Sequence, residues 1–72
     1  METKIIEILK NVLETENIST DTSQTNCDNW DSLRHLSLVV ELEDAFDVSL
    51  EPEEIAAMRS VKDIEKILSG KQ

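Results

Sequence analysis

The chain changes character at Asn29-Trp30-Asp31-Ser32-Leu33, where a polar segment ends and apolar residues at helical spacing begin. Asp31 suits the N-cap of the coming helix, because its carboxylate can accept a backbone N–H and complements the positive end of the helix dipole. The unpaired N–H groups at a helix start also favour a bound or attached phosphate. We therefore interpret Ser32 as an attachment point and not as a catalyst.

The residues that follow predict a helix from Ser32 to about Asp47. Its apolar residues are Leu33, Leu36, Leu38, Val39, Val40, Leu42, Ala45 and Phe46. Four polar residues at i, i+3, i+7 and i+10 share one stripe: Arg34, Ser37, Glu41 and Asp44. This spacing is typical of an amphipathic helix.

The part of the chain before this helix divides into one helix and one loop. Apolar residues at helical spacing predict a first helix from about residue 3 to 15, with Thr3 as a candidate N-cap. Residues 16–31 are rich in Ser, Thr, Asn and Asp, which favour turns and caps over helix interiors. A loop this long is usually functional or held by apolar anchors, for which Ile18 and Trp30 are the candidates and Cys27 a weaker one.

Two further helices are predicted in the C-terminal part. Residues 48–51 predict an extended turn, and Pro52 opens a short helix at its first position. Ser60 fits the N-cap of a last helix, with Asp63 as the acid of a capping box and Gly70 as a natural stop. No stretch shows the alternation of a strand. We therefore predict an all-α bundle of three principal helices plus one short helix, with a long loop between helices 1 and 2.

Length and charge limit the classes of function. With 72 residues the chain is expected to form one domain, residues 1–72, too small for a deep catalytic cleft beside a sufficient core. Its 16 acidic and 7 basic residues give a net charge of −9, which argues against nucleic acid and against anionic membrane surfaces as partners. The same charge favours partner proteins with basic patches.

Cysteine content and hydropathy indicate the compartment. Cys27 is the only cysteine, so an intramolecular disulfide is excluded. Residues 1–15 carry acids and no continuous apolar run, so we expect no signal peptide. Nothing approaches the roughly 20 apolar residues of a membrane span. We expect a cytoplasmic protein, and a monomer.

Metal sites find little support in the sequence. One His and one Cys, His35 and Cys27, cannot build a tetrahedral zinc site without carboxylates from elsewhere. An EF-hand loop beginning at Asp28 fails, because Trp30 holds its third position and Leu33 stands where the loop needs glycine.

Two alternatives for Ser32 stay open at this point. His35 lies one turn after Ser32, so a serine nucleophile with a histidine base is one of them. Against it, no Gly-x-Ser-x-Gly elbow is present and so small a domain cannot exclude water from a reaction centre. The other alternative is an acidic helical adaptor, in which Ser32 is an unmodified neighbour of the cap.

The junction and its helix resemble the acyl carrier protein family. The resemblance rests on Asp31-Ser32-Leu33 followed by Leu36 and by the run from Leu38 to Asp47, which ends in Glu-Asp-Ala-Phe-Asp. It continues through Leu50, the acidic Glu53-Glu54 turn and the run from Ser60 to Ile64. Asp-Ser-Leu alone recurs by chance, but its place before this helix, in an acidic chain of this length, is specific. Residues 28–68 match without a gap, and the first helix agrees in type.

This resemblance implies a carrier and not an enzyme. Ser32 would receive a 4'-phosphopantetheine group from coenzyme A through a separate phosphopantetheinyl transferase, with Asp31 and Leu33 on either side. The thiol of the arm would then carry an acyl or aminoacyl group as a thioester between loading and transferring enzymes. Cys27 would take no part, because a small half-buried cysteine behaves as a hydrophobe.

The resemblance also implies that the second helix is the recognition face. Glu41 and Asp44 would meet basic patches on partner enzymes, and Leu33 and Val40 would supply apolar contacts. Arg34 and Ser37 belong to the same predicted partner-binding surface.

Three positions depart from the pattern of fatty-acid-synthesis carriers. Arg34 and Ser37 stand where that pattern is commonly acidic, and Trp30 stands where a small residue, often Gly, is common. These departures favour discrete carriers of specialised pathways, such as polyketide, nonribosomal peptide or surface-glycolipid assembly. A carrier for fatty-acid synthesis is the alternative.

Overall fold

The computed structural model describes residues 2–71, and four helices follow one another along this part of the chain. They are α1 (Glu2–Leu13), α2 (Ser32–Phe46), α3 (Pro52–Ala57) and α4 (Val61–Lys71). Within the described residues no strand forms, and the β-type pairing is limited to an isolated bridge between Ser23 and Ser60. The predicted all-α bundle with a long loop between helices 1 and 2 is confirmed.

The core is built by three of the four helices. Their buried residues recur every three or four positions and are Ile5, Leu9 and Leu13 of α1, Leu38, Val39 and Leu42 of α2, and Val61, Ile64 and Leu68 of α4. No residue of α3 is buried, although Met58 directly after it is fully so. Because burying such a side chain contributes about 1.5–3 kcal/mol, α1, α2 and α4 supply most of the hydrophobic stabilisation.

The loop between α1 and α2 is anchored by its own apolar side chains. Ile18 and Trp30 are buried, as predicted, and Cys27 packs half-buried against the core. Thr22 is buried as well, and its hydroxyl accepts the Ser19 N–H at 2.8 Å.

Backbone hydrogen bonds also fix this loop to the segment before α4. The Gln24 N–H donates to the Arg59 carbonyl at 2.9 Å, and the Val61 N–H donates to the Thr22 carbonyl at 3.0 Å. The loop is thus tied at its middle, and it delivers Trp30 to a defined place at the start of α2.

The predicted starts of α3 and α4 are confirmed. Pro52 is the first residue of α3, where its missing N–H costs nothing. The Ser60 hydroxyl accepts the Asp63 N–H at 3.1 Å, as a cap of α4 should.

Three predictions about helix ends are wrong. Thr3 is not an N-cap, since α1 already includes Glu2. The same helix ends at Leu13 and not near residue 15, because Glu14 turns to the left-handed region (φ 53°) and the Thr15 N–H closes the end on an earlier carbonyl, at 3.2 Å.

Gly70 does not stop α4, which continues to Lys71. A glycine ends a helix when it takes a positive φ, and Gly70 does not. The last turn is held instead by Lys71, whose Nζ lies 2.8 Å from Glu54 Oε1 of α3.

Candidate functional site

The start of α2 has the geometry of a capped helix. Asp31 is extended (φ −97°, ψ −179°), and its carboxylate accepts the Arg34 N–H at 2.8 Å. Its carbonyl accepts the His35 N–H at 2.9 Å, which begins the helical hydrogen-bond pattern. The predicted N-cap is confirmed. The carboxylate satisfies one of the free N–H groups and fixes the direction in which the helix leaves the loop.

Ser32 is the first residue of α2 and is exposed to solvent. The next residue, Leu33, is 75% exposed as well. The hydroxyl is therefore open to another protein. A phosphate attached to it would lie at the positive end of a helix of 15 residues.

On the side of α1, two residues near Ser32 hold the end of that helix. Arg34 Nη1 donates to the Val12 carbonyl at 2.9 Å and lies 3.0 Å from Glu14 Oε2. Asn29 Nδ2 donates to the Leu13 carbonyl at 2.8 Å. The last carbonyls of a helix have no partner within it, so these two side chains satisfy α1 from outside.

The arginine therefore does not project freely from the predicted polar stripe. Its side chain is 36% exposed, and its guanidinium turns away along the surface to α1. The free carbonyls and the Glu14 carboxylate attract the cation, as does the negative end of the α1 dipole. The other residues of that stripe, Ser37, Glu41 and Asp44, are exposed.

On the side of α3, His35 joins two other elements. Its Nδ1 lies 2.9 Å from Trp30 Nε1, and its Nε2 lies 2.8 Å from the Ile55 carbonyl. An indole N–H can only donate, so Nδ1 is the acceptor and these partners assign the proton to Nε2. The two ring planes are inclined by 27° with centroids 6.2 Å apart, so the rings meet edge to edge through this hydrogen bond. A neutral His35 thus connects the end of the loop, the first turn of α2 and the last turn of α3.

These contacts remove the geometric support for a serine nucleophile with a histidine base. A base must reach the hydroxyl proton with a free ring nitrogen. Both ring nitrogens of His35 already have partners, and neither partner is Ser32.

An apolar strip runs along the exposed face of α2. Leu33 is 75% exposed, Leu36 59% and Val40 64%, and their spacing of three and four residues places them side by side. Exposed apolar side chains that adjoin one another mark an interaction surface. The sequence marks Leu36 only as one of the apolar residues of the helix, because its exposure depends on how the other helices pack.

Comparison with known proteins identifies the family of the chain. The family model described as "Phosphopantetheine attachment site" matches residues 3–68. The chain belongs to this family. Its members carry covalently bound 4'-phosphopantetheine and are not themselves enzymes.

A solved structure shows the same fold. The chain is similar to a structure described as that of an acyl carrier protein from Mycobacterium tuberculosis, with a TM-score of 0.87 and 24% sequence identity. The match covers 99% of this chain and 97% of that one. Among curated protein sequences, none matches the chain.

The predictions of family, cofactor and non-enzymatic role are thereby confirmed. Between residues 2 and 71 the carrier has no group of three or more His, Cys, Asp or Glu side chains placed to hold a metal ion. No helix in the same range is long and apolar enough to cross a bilayer.

Proposed function

We propose that Ser32 carries the 4'-phosphopantetheine arm, and that the chain shuttles acyl or aminoacyl groups between enzymes as thioesters on that arm. The observation that carries this proposal is the exposed hydroxyl of Ser32 directly after the Asp31 cap, within Asp-Ser-Leu. Helix N–H groups and the α2 dipole favour the resulting phosphodiester anion. The arm brings its own thiol, so Cys27 is not needed.

The exposed face of α2 is proposed as the surface that partners recognise. Leu33 and Val40, together with Leu36, offer an apolar strip, and the exposed acids Glu41 and Asp44 lie farther along the same helix. Such a surface fits enzymes that combine an apolar contact with a basic patch. The phosphopantetheinyl transferase and the acyl- or aminoacyl-handling enzymes are the partners we assign to it.

We place the carrier in a specialised pathway, with fatty-acid synthesis as the alternative. Arg34 and Ser37 leave the first turns of α2 without acidic side chains, and the charge of Arg34 is partly matched by Glu14. Trp30, at a position where a small residue is common, is 4% exposed and packs into the core. We further propose that residues 1–72 act as a single carrier domain, monomeric and cytoplasmic.

The attachment is tested by incubating the apo protein with coenzyme A and a broad-range phosphopantetheinyl transferase. We expect the intact mass to rise by one phosphopantetheine group. Ser32→Ala should abolish the gain, and Ser37→Ala, which removes an exposed hydroxyl on the same helix, should keep it. No gain in the wild type would support the unmodified adaptor, and a gain that survives Ser32→Ala would contradict attachment at Ser32.

The pathway is tested at Ser37 and not at Arg34, because Arg34→Glu would also remove the contacts with α1. Ser37→Glu adds an acid to an exposed position. If missing acids weaken contact with fatty-acid-synthesis enzymes, this variant should raise kcat/KM with such an acyltransferase about two- to fivefold. Equal values for wild type and variant would argue against the charge as a determinant of partner choice.

A further inference from the structure

His35 has no part in the chemistry proposed for Ser32, yet both of its ring nitrogens have hydrogen-bond partners. His35 lies one turn into α2. It hydrogen-bonds to Trp30, before this helix, and to Ile55, 20 residues after His35 in the chain. Both bonds are short, at 2.9 and 2.8 Å, and both use the plane of one imidazole. This side chain therefore links the Trp30 end of the loop to α3, whereas the backbone hydrogen bonds tie the middle of the loop to the segment after α3.

The chain on either side of the helix that His35 reaches is buried at Leu50 and Met58, but the helix itself has few anchors. No residue of α3 is buried, and its side-chain tie to α4 is the Glu54–Lys71 pair. An element with few buried apolar contacts opens at low free energy, so a polar tie counts for more there than in the core.

Building on the proposed function, we infer that His35 is a positioning residue for transfer of phosphopantetheine to Ser32. It holds the Trp30 end of the loop and the last turn of α3 on the two sides of the first turn of α2. The transferase then meets a preformed surface around the serine, and no part of that surface must be ordered on binding. Preorganisation of this kind improves association, because ordering a mobile segment costs free energy at the moment of binding.

Loss of the imidazole leaves two polar groups without their partner. The Trp30 N–H and the Ile55 carbonyl both lie in partly buried surroundings, where an unsatisfied group is costly. The loop end and α3 would move apart to reach water. Because His35 does not touch the reacting hydroxyl, the loss should appear in KM for the carrier and not in kcat.

Four variants test this inference. His35→Ala removes both bonds, whereas His35→Gln keeps one acceptor and one donor on a single side chain. Trp30→Phe keeps an aromatic ring in the core and removes the indole donor alone. Lys62→Met is the matched control, since it breaks an exposed ion pair between α4 and the same loop, Lys62 to Asp21 at 3.6 Å, and removes no hydrogen bond of His35.

The measurements are transfer kinetics and exchange of the indole N–H. Each variant is titrated as substrate for the transferase with coenzyme A in excess, and intact mass follows the product. The protein has one tryptophan, so its indole N–H gives one resonance, whose exchange with solvent reports the bond to His35.

We expect His35→Ala to raise KM about fivefold, to change kcat less than twofold and to speed indole exchange. His35→Gln should return KM and exchange toward wild type, Trp30→Phe should raise KM by a smaller factor, and Lys62→Met should behave as wild type.

The inference is overturned if His35→Ala speeds indole exchange while its KM stays within twofold of wild type. If His35→Ala does not fold, an unchanged KM for Trp30→Phe overturns it instead. A wild-type chain that gains no mass contradicts the proposed function itself. If the wild type is modified and His35→Ala is modified with the same KM, only the role of His35 is contradicted.

Discussion

The helices α1 and α3 both contact the first turn of α2, but they are held there by different forces. Three side chains of α1 are fully buried in the core, and no residue of α3 is buried. Consecutive residues of α2 reach the two helices, Arg34 to a carbonyl of α1 and His35 to a carbonyl of α3. For α1 the polar contact is added to an apolar anchor, whereas for α3 it is one of the main anchors.

The difference shows how a small carrier combines stability with accessibility. Apolar packing of α1, α2 and α4 fixes the direction of α2, and hence the position of Ser32. The neighbouring α3 has no buried residue and is held by polar contacts together with the partly buried Ile55. We therefore expect stability to be sensitive to changes in α1, and recognition near Ser32 to be sensitive to changes around α3.

The largest expected effect separates the two helices directly. Leu9 of α1 is fully buried, so Leu9→Ala should lower the free energy of unfolding by about 2–5 kcal/mol. Ile55 of α3 is only partly buried, so Ile55→Ala should cost about 1 kcal/mol. Urea unfolding of both variants, with wild type alongside, measures the difference. Equal losses would mean that α3 contributes to the core as much as α1 does.

A smaller effect is expected at the contact with α1. Arg34→Gln removes the charge that faces Glu14 and weakens the bond to the Val12 carbonyl. Because the pair is partly exposed, the cost should be about 0.5–1 kcal/mol. The double variant with Glu14→Gln should lose less than the sum of the two single variants, and strict additivity would show that the ion pair is not formed in solution.

The smallest effect concerns acid and the tie between α3 and α4. The Lys71 ammonium, which hydrogen-bonds to Glu54, lowers the pKa of this carboxyl from its usual 4.5, and the Glu51 N–H lowers it further. A pKa that is lower in the folded state gives stability that is present above about 4.5 and is lost as the pH falls through the folded value.

The check is a carbon NMR titration of the Glu54 carboxyl. Lys71→Met should raise the pKa of Glu54 toward its usual value, and the stability difference between wild type and Glu54→Gln should shrink in acid. If Glu54 titrates identically in wild type and in Lys71→Met, the ion pair with Lys71 does not hold α3 in solution.

The sequence is sufficient for features that depend on neighbouring residues. Helical spacing predicted all four helices, and cap chemistry predicted Asp31, Pro52 and Ser60, because these signals act within one turn. The loop anchors Ile18 and Trp30 were also predicted, since burial in the core is favourable for large apolar side chains in a polar segment.

Polar contacts between residues far apart in the chain could not be predicted from the sequence. Arg34 and Val12 are 22 residues apart, and His35 and Ile55 are 20 apart. Which carbonyls face these side chains depends on how the helices pack, and periodicity says nothing of this. For the same reason helical spacing places Arg34 on a polar stripe but does not predict its contact with α1. It also does not predict the burial of Thr22 or the exposure of Leu36.

The central claim is that the arm is attached to Ser32, and peptide fragmentation of the modified wild-type protein tests it most directly. After transfer from coenzyme A and proteolysis, the fragment ions assign the phosphodiester to one residue of the peptide that contains Ser32 and Ser37. We predict that the phosphopantetheine mass is found on Ser32 and that Ser37 is unmodified. Attachment at Ser37, or at a serine outside α2, would contradict the account.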